Sequence, residues 1–134
     1  MTDNKHVLDI LVVDDEKRIA DTLALVLQSR DYVVATAYDG LQAYHSCRKV
    51  LPRLVITDVV MPQMNGIELA IKLRSEMPPC TILLFSGQAA TADMLRDANE
   101  RGFDFELLAK PVHPEVLLQK VKDLIGVPAR ALGA

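Results

Sequence analysis

The sequence predicts an α/β protein in which a parallel, five-stranded sheet carries helices on both faces. Short apolar runs rich in β-branched residues alternate with stretches of helical periodicity about five times along the 134 residues. The runs are nearly unbroken in apolar character, which is typical of strands buried on both faces; a solvated antiparallel sheet would show polar alternation. The length suits one compact domain, predicted at residues 1–126, with a disordered tail at residues 127–134.

The five predicted strands are each bounded by residues that favour turns. The first ends at an Asp pair, and the second is rich in β-formers and ends before an Asp-Gly pair. The third follows a proline, the fourth ends before Ser-Gly and the fifth ends before Lys-Pro. In chain order the strands are Leu8–Val13, Tyr32–Ala37, Arg53–Thr57, Thr81–Phe85 and Phe105–Ala109.

A helix is predicted after each strand. The first has four apolar residues at helical spacing, the second has a weaker pattern, and the third has an apolar face and a Glu four residues before a Lys. The fourth is more polar and closes at a glycine, and the last has a proline in its first turn and an apolar stripe. The helices are Glu16–Arg30, a stretch that follows Gly40 and ends near Lys49, Ile67–Met77, Thr91–Arg101 and Pro114–Ile125.

The composition excludes several classes of function. The net charge of −3 gives no general attraction to nucleic acid or anionic membranes. No apolar run approaches the roughly 18 residues of a membrane span, and the polar N-terminus lacks the apolar region of a signal peptide. Cys47 and Cys80 are not at metal-ligand spacing and suggest a reducing compartment, so a cytoplasmic protein is expected. The basic residues Arg48, Lys49 and Arg53 are interpreted as solvated surface rather than a phosphate-binding patch.

Polar side chains follow four of the predicted strands. Asp14 and Asp15 come after the first strand, Asp58 after the third, Ser86 after the fourth and Lys110 after the fifth. Ligands of open parallel sheets bind at the carboxyl ends of the strands, so these side chains are expected at one edge of the sheet. Taken singly, each Asp and the serine could instead cap a helix or form a turn, and the lysine could lie in a solvated loop.

The three carboxylates together indicate a divalent cation. Clustered carboxylates raise one another's pKa unless a cation joins them, and oxygen ligands suit Mg²⁺. No His or Cys is placed to suggest zinc. A metal-bound carboxylate, a hydroxyl and a lysine have the charge pattern for a phosphoryl group in transfer, with a carboxylate as the nucleophile. No glycine-rich phosphate loop occurs, so a nucleotide site is not predicted.

Four motifs, in this order, resemble the receiver domain of two-component response regulators. They are VVDDE at residues 12–16, DVVMPQMNG at 58–66, FSG at 85–87 and AKP at 109–111, and the resemblance covers about residues 9–125. It implies a doubly wound, flavodoxin-like sheet with strand order 2-1-3-4-5. It also implies a signalling switch in a phosphorelay rather than an enzyme that turns over an external substrate.

The resemblance implies partners as well. The expected phosphodonor is a sensor histidine kinase or a phosphotransfer protein, and the phosphorylated domain would signal to an unknown downstream protein through protein contacts. Formation of a homodimer stays open. Direct binding of nucleic acid by this domain and membrane partners are not expected.

The resemblance further implies roles for the site residues in phosphoryl transfer. Asp58 would accept the phosphoryl group, Ser86 would hydrogen-bond one phosphoryl oxygen and Lys110 would pair with another. The peptide bond between Lys110 and Pro111 would be cis, a form that is largely confined to bonds preceding proline.

The implied cofactor is Mg²⁺. Asp15 would bind the ion directly, Asp14 would bind it through water, and Asp58 and the backbone carbonyl of Val60 would complete the protein ligands. The resemblance thus explains why a buried strand delivers an acid to its tip and is followed by a sharp turn at Met-Pro and Asn-Gly.

The sequence departs from the family pattern before the lysine. Receiver domains usually carry an aromatic residue there, whose rotation reports phosphorylation, but Leu107 stands in its place. The segment from Gly102 to Lys110 is also one residue longer than usual. We therefore expect the surface of the fourth helix and fifth strand to signal differently, through Ser86 and backbone shifts.

A second departure concerns the residues two positions beyond Asp58 and Ser86, which are Val60 and Gln88. Side chains at these positions tune the approach of water to the phosphoryl group in this family. Because an apolar Val60 cannot orient water, slow self-dephosphorylation is expected.

Two alternatives remain at this stage. One is a receiver-like protein-binding module that is not phosphorylated, although a scaffold has no need for clustered, mutually repelling acids. The other is a metal-dependent phosphatase with an aspartyl-phosphate intermediate. Such enzymes typically need a second Asp where Val60 stands, and cap segments for which 134 residues offer no room.

Overall fold

The computed structural model of the protein describes residues 7–87 and 91–132, with only the backbone of Thr91. Strands and helices alternate along the chain. The strands are β1 (Ile10–Val13), β2 (Val34–Ala37), β3 (Leu54–Asp58), β4 (Thr81–Ser86) and β5 (Glu106–Ala109). The helices are α1 (Lys17–Gln28), α2 (Gly40–Lys49), α3 (Gly66–Glu76), α4 (Thr91–Glu100), α5 (Pro114–Ile125) and the short α6 (Ala129–Leu132).

The predicted fold class is confirmed. The five strands form one sheet in the order β2-β1-β3-β4-β5, and all four neighbouring pairs are parallel. One apolar cluster includes residues of α2, α3 and α4, and a second includes residues of α1 and α5. The two clusters cover opposite faces of the sheet, as expected for a doubly wound architecture.

Burial explains why the central strands are so apolar. Every residue of β1 and of β3 is buried, whereas the edge strands β2 and β5 are partly or largely exposed. The central strands are covered by helices on both faces, so polar residues are tolerated mainly at their ends. The carboxyl ends of β1, β3 and β4 are therefore where functional side chains can emerge from the core.

The helix boundaries follow local capping signals. Asp39 caps α2 by accepting from the backbone N–H of Gln42 at 2.7 Å. Asn65 and Glu68 form a reciprocal capping box at the start of α3, with bonds of 2.8 and 2.9 Å. Gly102 follows α4 with φ +93°, a conformation that side chains disfavour.

The expectation of a disordered tail after residue 126 is corrected by the structure over residues 127–132. Three side chains, which we call the C-terminal anchor, hold this segment against the amino-terminal edge of the sheet: Asp9, Tyr32 and Arg53. The Tyr32 hydroxyl donates to the Gly126 carbonyl at 2.6 Å, just before this segment, and Arg53 donates to the carbonyls of Ile125, at the end of α5, and of Val127. Asp9 accepts from the backbone N–H of Ala129 at 3.0 Å, at the start of α6. These partners lie 72 to 120 residues apart in sequence and give no local signal.

The same anchor corrects the interpretation of Arg53 as solvated surface. Its guanidinium lies 2.9 Å from an oxygen of Asp9, whose side chain is fully buried. Asp9 also accepts from the backbone N–H of Val33 at 2.8 Å, next to the start of β2, which begins at Val34 rather than at the predicted Tyr32. Arg53, whose side chain is 28% exposed, is thus the charged partner of a fully buried acid.

Cys47 and Cys80 are free thiols in the core, as expected from the sequence. Burial raises the pKa of Cys47 to about 11 and that of Cys80 to about 12. Within residues 7–87 and 91–132, no helix has the length and apolar character to cross a membrane.

Candidate functional site

The side chains expected at one edge of the sheet are brought together there. Asp14 follows β1, Asp58 ends the neighbouring strand β3, and Ser86 ends β4. Lys110 follows β5, and its backbone N–H donates to the Ser86 carbonyl at 3.0 Å. The parallel register therefore delivers residues from four strands to a single site, with Ser86 6% exposed.

Three carboxylates form the centre of this site. One oxygen from each of Asp14, Asp15 and Asp58 lies within 4.8 Å of the others. Asp14 and Asp58 are buried, whereas Asp15 is exposed at the rim. A set of converging carboxylate oxygens that is open on one side fits a hard divalent cation that keeps several waters, as Mg²⁺ does.

Lys110 supplies the positive charge that faces these acids. Its Nζ lies 3.4 Å from an oxygen of Asp14 and 3.3 Å from an oxygen of Asp58. The lysine side chain is 24% exposed, whereas the side chains of Asp14 and Asp58 are 0% and 10% exposed. Both distances are longer than the roughly 2.7–2.9 Å of a tight charge-assisted hydrogen bond, so neither acid holds the ammonium closely.

Burial of Asp14 and Asp58 disfavours their charged forms. Burial raises the pKa of Asp58, and nearby Asp15 adds to the increase while Lys110 opposes it. Burial likewise raises the pKa of Asp14, with Asp58 as a further repulsive neighbour; the Glu16 backbone N–H and Lys110 act in the opposite direction. The site is therefore electrostatically strained in the absence of an added cation.

Asparagine at position 58 is expected to stabilise the metal-free protein at neutral pH. Because the folded-state pKa of Asp58 is raised, the folded protein binds the proton more tightly than the unfolded chain. The ionised acid therefore lowers stability above its folded pKa, and this cost vanishes as pH falls below the unfolded value. We expect Asp58→Asn to raise the free energy of unfolding by about 0.5–2 kcal/mol at neutral pH and by less near about pH 4.

Urea titrations at the two pH values measure this effect. Asp97→Asn on exposed α4 is the matched control and should change little at either pH. A stabilisation by Asp58→Asn that grows as the pH falls would contradict the assigned direction of the pKa shift.

The alternative that these residues are ordinary helix caps fails for Asp58. The N-cap of α3 is Asn65, seven residues further along the chain. Asp14 does make a local turn bond, because its carboxylate accepts from the Glu16 backbone N–H at 2.9 Å. That bond uses one oxygen, and the other faces Lys110. Asp14 thus combines a turn bond with a place in the carboxylate cluster.

The connection between β3 and α3 passes very close to Asp58. The Gly66 backbone N–H donates to the Val59 carbonyl at 2.8 Å, which closes the loop into a tight turn. A Cβ on Gly66 would overlap the Asp58 carbonyl oxygen and lie 2.9 Å from its carbonyl carbon. Val60 lies on this loop with 47% of its side chain exposed. Gln88, the other residue expected to tune water, lies outside the described residues.

Leu107 lies on the edge strand β5, opposite Leu84 in the register, and is 41% exposed. The two nearest preceding aromatics are stacked on each other, Phe103 on Phe105, with ring centroids 6.2 Å apart and planes 9° apart. The Arg74 guanidinium lies over Phe105 at 4.8 Å from its centroid. These rings therefore contact each other, and Phe105 also contacts Arg74 of α3.

One contact of the site was not anticipated from the sequence. The Nζ of Lys110 lies 4.6 Å from the centroid of the Phe85 ring. Phe85 also lines an open, largely apolar groove between α1 and the segment after β5, together with Ile19, Leu23 and Val112. The only sequence signal for this contact is the position of Phe85 immediately before Ser86 in a central strand. Strand position alone does not reveal which side chain lies over the ring.

The peptide bond between Lys110 and Pro111 is cis, as the resemblance implies.

A family model described as the response regulator receiver domain matches residues 10–122. The chain is 32% identical over 116 residues to the probable transcriptional regulatory protein TcrX of Mycobacterium tuberculosis, covering 87% of this chain and 49% of that protein. It is also 32% identical over 116 residues to the transcriptional regulatory protein CreB of Escherichia coli, covering 87% of this chain and 50% of that protein. The chain therefore spans about half the length of these curated relatives.

Solved structures give the same similarity. The chemotaxis protein CheY4 of Vibrio cholerae has a TM-score of 0.76 at 29% identity, covering 89% of this chain and 99% of that one. The receiver domain of NtrX from Brucella abortus has a TM-score of 0.77 at 27% identity, covering 87% and 98%.

Proposed function

Because the chain belongs to the response regulator receiver domain family, we propose that it is a phosphorylation-activated switch of a cytoplasmic phosphorelay. Asp58 accepts a phosphoryl group from a sensor histidine kinase or a phosphotransfer protein in a Mg²⁺-dependent reaction. The phosphorylated domain then acts on a downstream protein through contacts. The observation that carries the proposal is the convergence of three carboxylates with Lys110, which faces both buried acids.

The proposed step is an in-line displacement at phosphorus. A carboxylate oxygen of Asp58 forms a bond to phosphorus while the bond from phosphorus to the donor atom breaks, and the donor leaves with that electron pair. The Lys110 ammonium balances charge on one phosphoryl oxygen, and the Ser86 hydroxyl donates to another. Asp15, Asp58 and the Val60 carbonyl would hold Mg²⁺ directly and Asp14 through water, and the ion would supply further positive charge for the phosphoryl oxygens. No external substrate is turned over, so the protein is a switch rather than an enzyme.

Incubation with a small acyl phosphate is expected to add one phosphoryl group, and only when Mg²⁺ is present. Intact-mass spectrometry reads the adduct directly and needs no partner kinase. Asp58→Asn should remove the adduct completely because it removes the nucleophile. Asp97→Asn, an exposed acid on α4, should leave the adduct intact.

The outcomes separate the alternatives. A folded wild-type protein that takes no phosphoryl group under these conditions would support the protein-binding module that is not phosphorylated. An adduct that persists in Asp58→Asn would place the nucleophile elsewhere and reject the assignment of Asp58.

Slow self-dephosphorylation is the expected consequence of Val60. Its half-exposed, apolar side chain borders the loop beyond Asp58 and offers no group that orients water for attack on phosphorus. Val60→Asn supplies such a group and should speed decay of the adduct about tenfold. The measurement is loss of adduct by intact mass after the donor is removed, with Val60→Ala as the control for side-chain size. Equal decay in the two variants would count against this role of position 60.

We further propose that the surface of α4 and β5 transmits phosphorylation without an aromatic rotation. Leu107 lacks the ring, and Phe105 is held between Phe103 and Arg74. Signalling would then depend on Ser86 and on backbone shifts of β4 and β5, which Lys110 joins through the Ser86 carbonyl. A structure with a bound phosphoryl mimic in which either phenylalanine swings out of its stack would reject this proposal.

A further inference from the structure

Among the described residues, the Lys110 ammonium makes contacts of two kinds in the site. It lies 3.4 and 3.3 Å from the carboxylates of Asp14 and Asp58. It also lies over the face of the Phe85 ring, at 4.6 Å from Nζ to centroid. A cation within about 6 Å of an aromatic centroid is attracted by the negative face of the ring. The ring therefore attracts the ammonium although the ring itself carries no net charge.

This inference rests on the proposed function, in which Asp14 and Asp58 also interact with groups other than Lys110. Asp58 becomes esterified to phosphorus, and Asp14 directs its charge toward the cation. Both then hold Lys110 less strongly than they do in the resting protein. The ring of Phe85 is unaffected by either event.

The ring is also held rigidly. Phe85 is 2% exposed and lies in the central strand β4, between Asp58 on β3 and Leu108 on β5 in the register. Its carbonyl accepts from the Val59 backbone N–H at 3.3 Å, directly beside the nucleophile. The position of the ring relative to Asp58 is thus fixed by the sheet before any phosphodonor arrives.

We propose that Phe85 is a positioning residue for phosphoryl transfer: its ring face holds the Lys110 ammonium beside Asp58 while the acids are engaged. A large apolar residue at this point of a core strand also has a packing role. The distinguishing property is electronic, because packing depends on the shape of the ring whereas attraction of the ammonium depends on its charge distribution.

Fluorinated phenylalanines separate these two properties. Phenylalanine with one, two or three ring fluorines, placed at position 85 of the full chain, keeps the ring in the core and weakens its negative face step by step. We expect the rate of phosphorylation by a small acyl phosphate with saturating Mg²⁺ to fall with each fluorine, by about threefold to tenfold in total. Phe85→Tyr, which keeps the ring face, should retain the rate, and Phe85→Leu should lose it.

The matched control is the same fluorinated series at Phe105, which stacks on Phe103 and contacts Arg74 rather than the site. No change in phosphorylation rate is expected there. A second readout is the proton NMR shift of the Lys110 ε-methylene, which the ring current should move upfield in the wild type but not in Phe85→Leu.

The outcomes are distinct. A stepwise fall at position 85 alone, with the upfield shift, supports the positioning role. A normal wild-type adduct with a flat series at position 85 overturns it and leaves the proposed function standing. A wild-type protein that forms no adduct overturns both, since the role is defined for that transfer.

Discussion

An alanine at position 66 is expected to destabilise the protein by about 3 kcal/mol and to slow phosphorylation about a hundredfold. A Cβ there would overlap the Asp58 carbonyl oxygen and lie 3.0 Å from the Val59 Cα. Both neighbours are backbone, so no side chain can turn away to make room. The loop between β3 and α3 must move instead. This loop contains Val60 and begins directly after the nucleophile Asp58, so its movement would also disturb the site.

Gly87→Ala is the matched control for this prediction. It lies at the same edge of the sheet, but among the described residues a Cβ there would meet the Lys110 Cβ at 3.4 Å and the Lys110 carbonyl oxygen at 4.0 Å, both ordinary contacts. Chemical denaturation gives the stability, and adduct formation by intact mass gives the rate. Equal behaviour of the two alanine variants would show that the approach of α3 to Asp58 is not as tight as the structure has it.

Replacing Arg53 with methionine is expected to lower the free energy of unfolding by about 3–5 kcal/mol. Asp9 is fully buried, and Arg53 is its charged partner at 2.9 Å. Methionine keeps much of the apolar stem but leaves a buried carboxylate whose remaining partners among the described residues are the Val33 and Ala129 backbone N–H groups. The loss comes mainly from this uncompensated charge rather than from packing.

Two further variants test that explanation by urea denaturation. Arg96→Met breaks the exposed pair with Asp93 and should cost less than about 1 kcal/mol. Adding Asp9→Asn to Arg53→Met removes the stranded charge and should recover a large part of the stability. A double variant as unstable as Arg53→Met alone would shift the cause from charge to packing.

The sequence predicted the sheet because its signals are local. The apolar runs of β1, β3 and β4 are long enough to identify, and the polar residue that ends each run marks the edge where the site forms. Asp58 and Lys110 could therefore be assigned to one place without a structure. The sequence predicts Asn65 only as part of a turn; its capping box with Glu68 at the start of α3 is a local signal that was missed.

What the sequence could not predict depends on contacts between distant residues. The sequence predicts Arg53 as solvated surface because its partner Asp9 lies 44 residues away, at the start of another predicted strand, and no local pattern links the two residues. The ordered segment after Gly126 was missed for the same reason. The contact between Phe85 and Lys110 is not predicted from the sequence, because the approach of Lys110 to the ring depends on the path of the chain after β5.

The C-terminal anchor has a practical consequence for where the chain can be cut. The family match ends at residue 122 and the domain predicted from sequence at residue 126, yet Arg53 and Asp9 bond the Val127 carbonyl and the Ala129 N–H. A fragment that ends at residue 122 or 126 would lack the hydrogen-bond partners that residues 127–129 provide to Arg53 and to buried Asp9, next to β1. Expression boundaries chosen from the family alone would thus yield a weakened protein, and residue 132 is the safer end point.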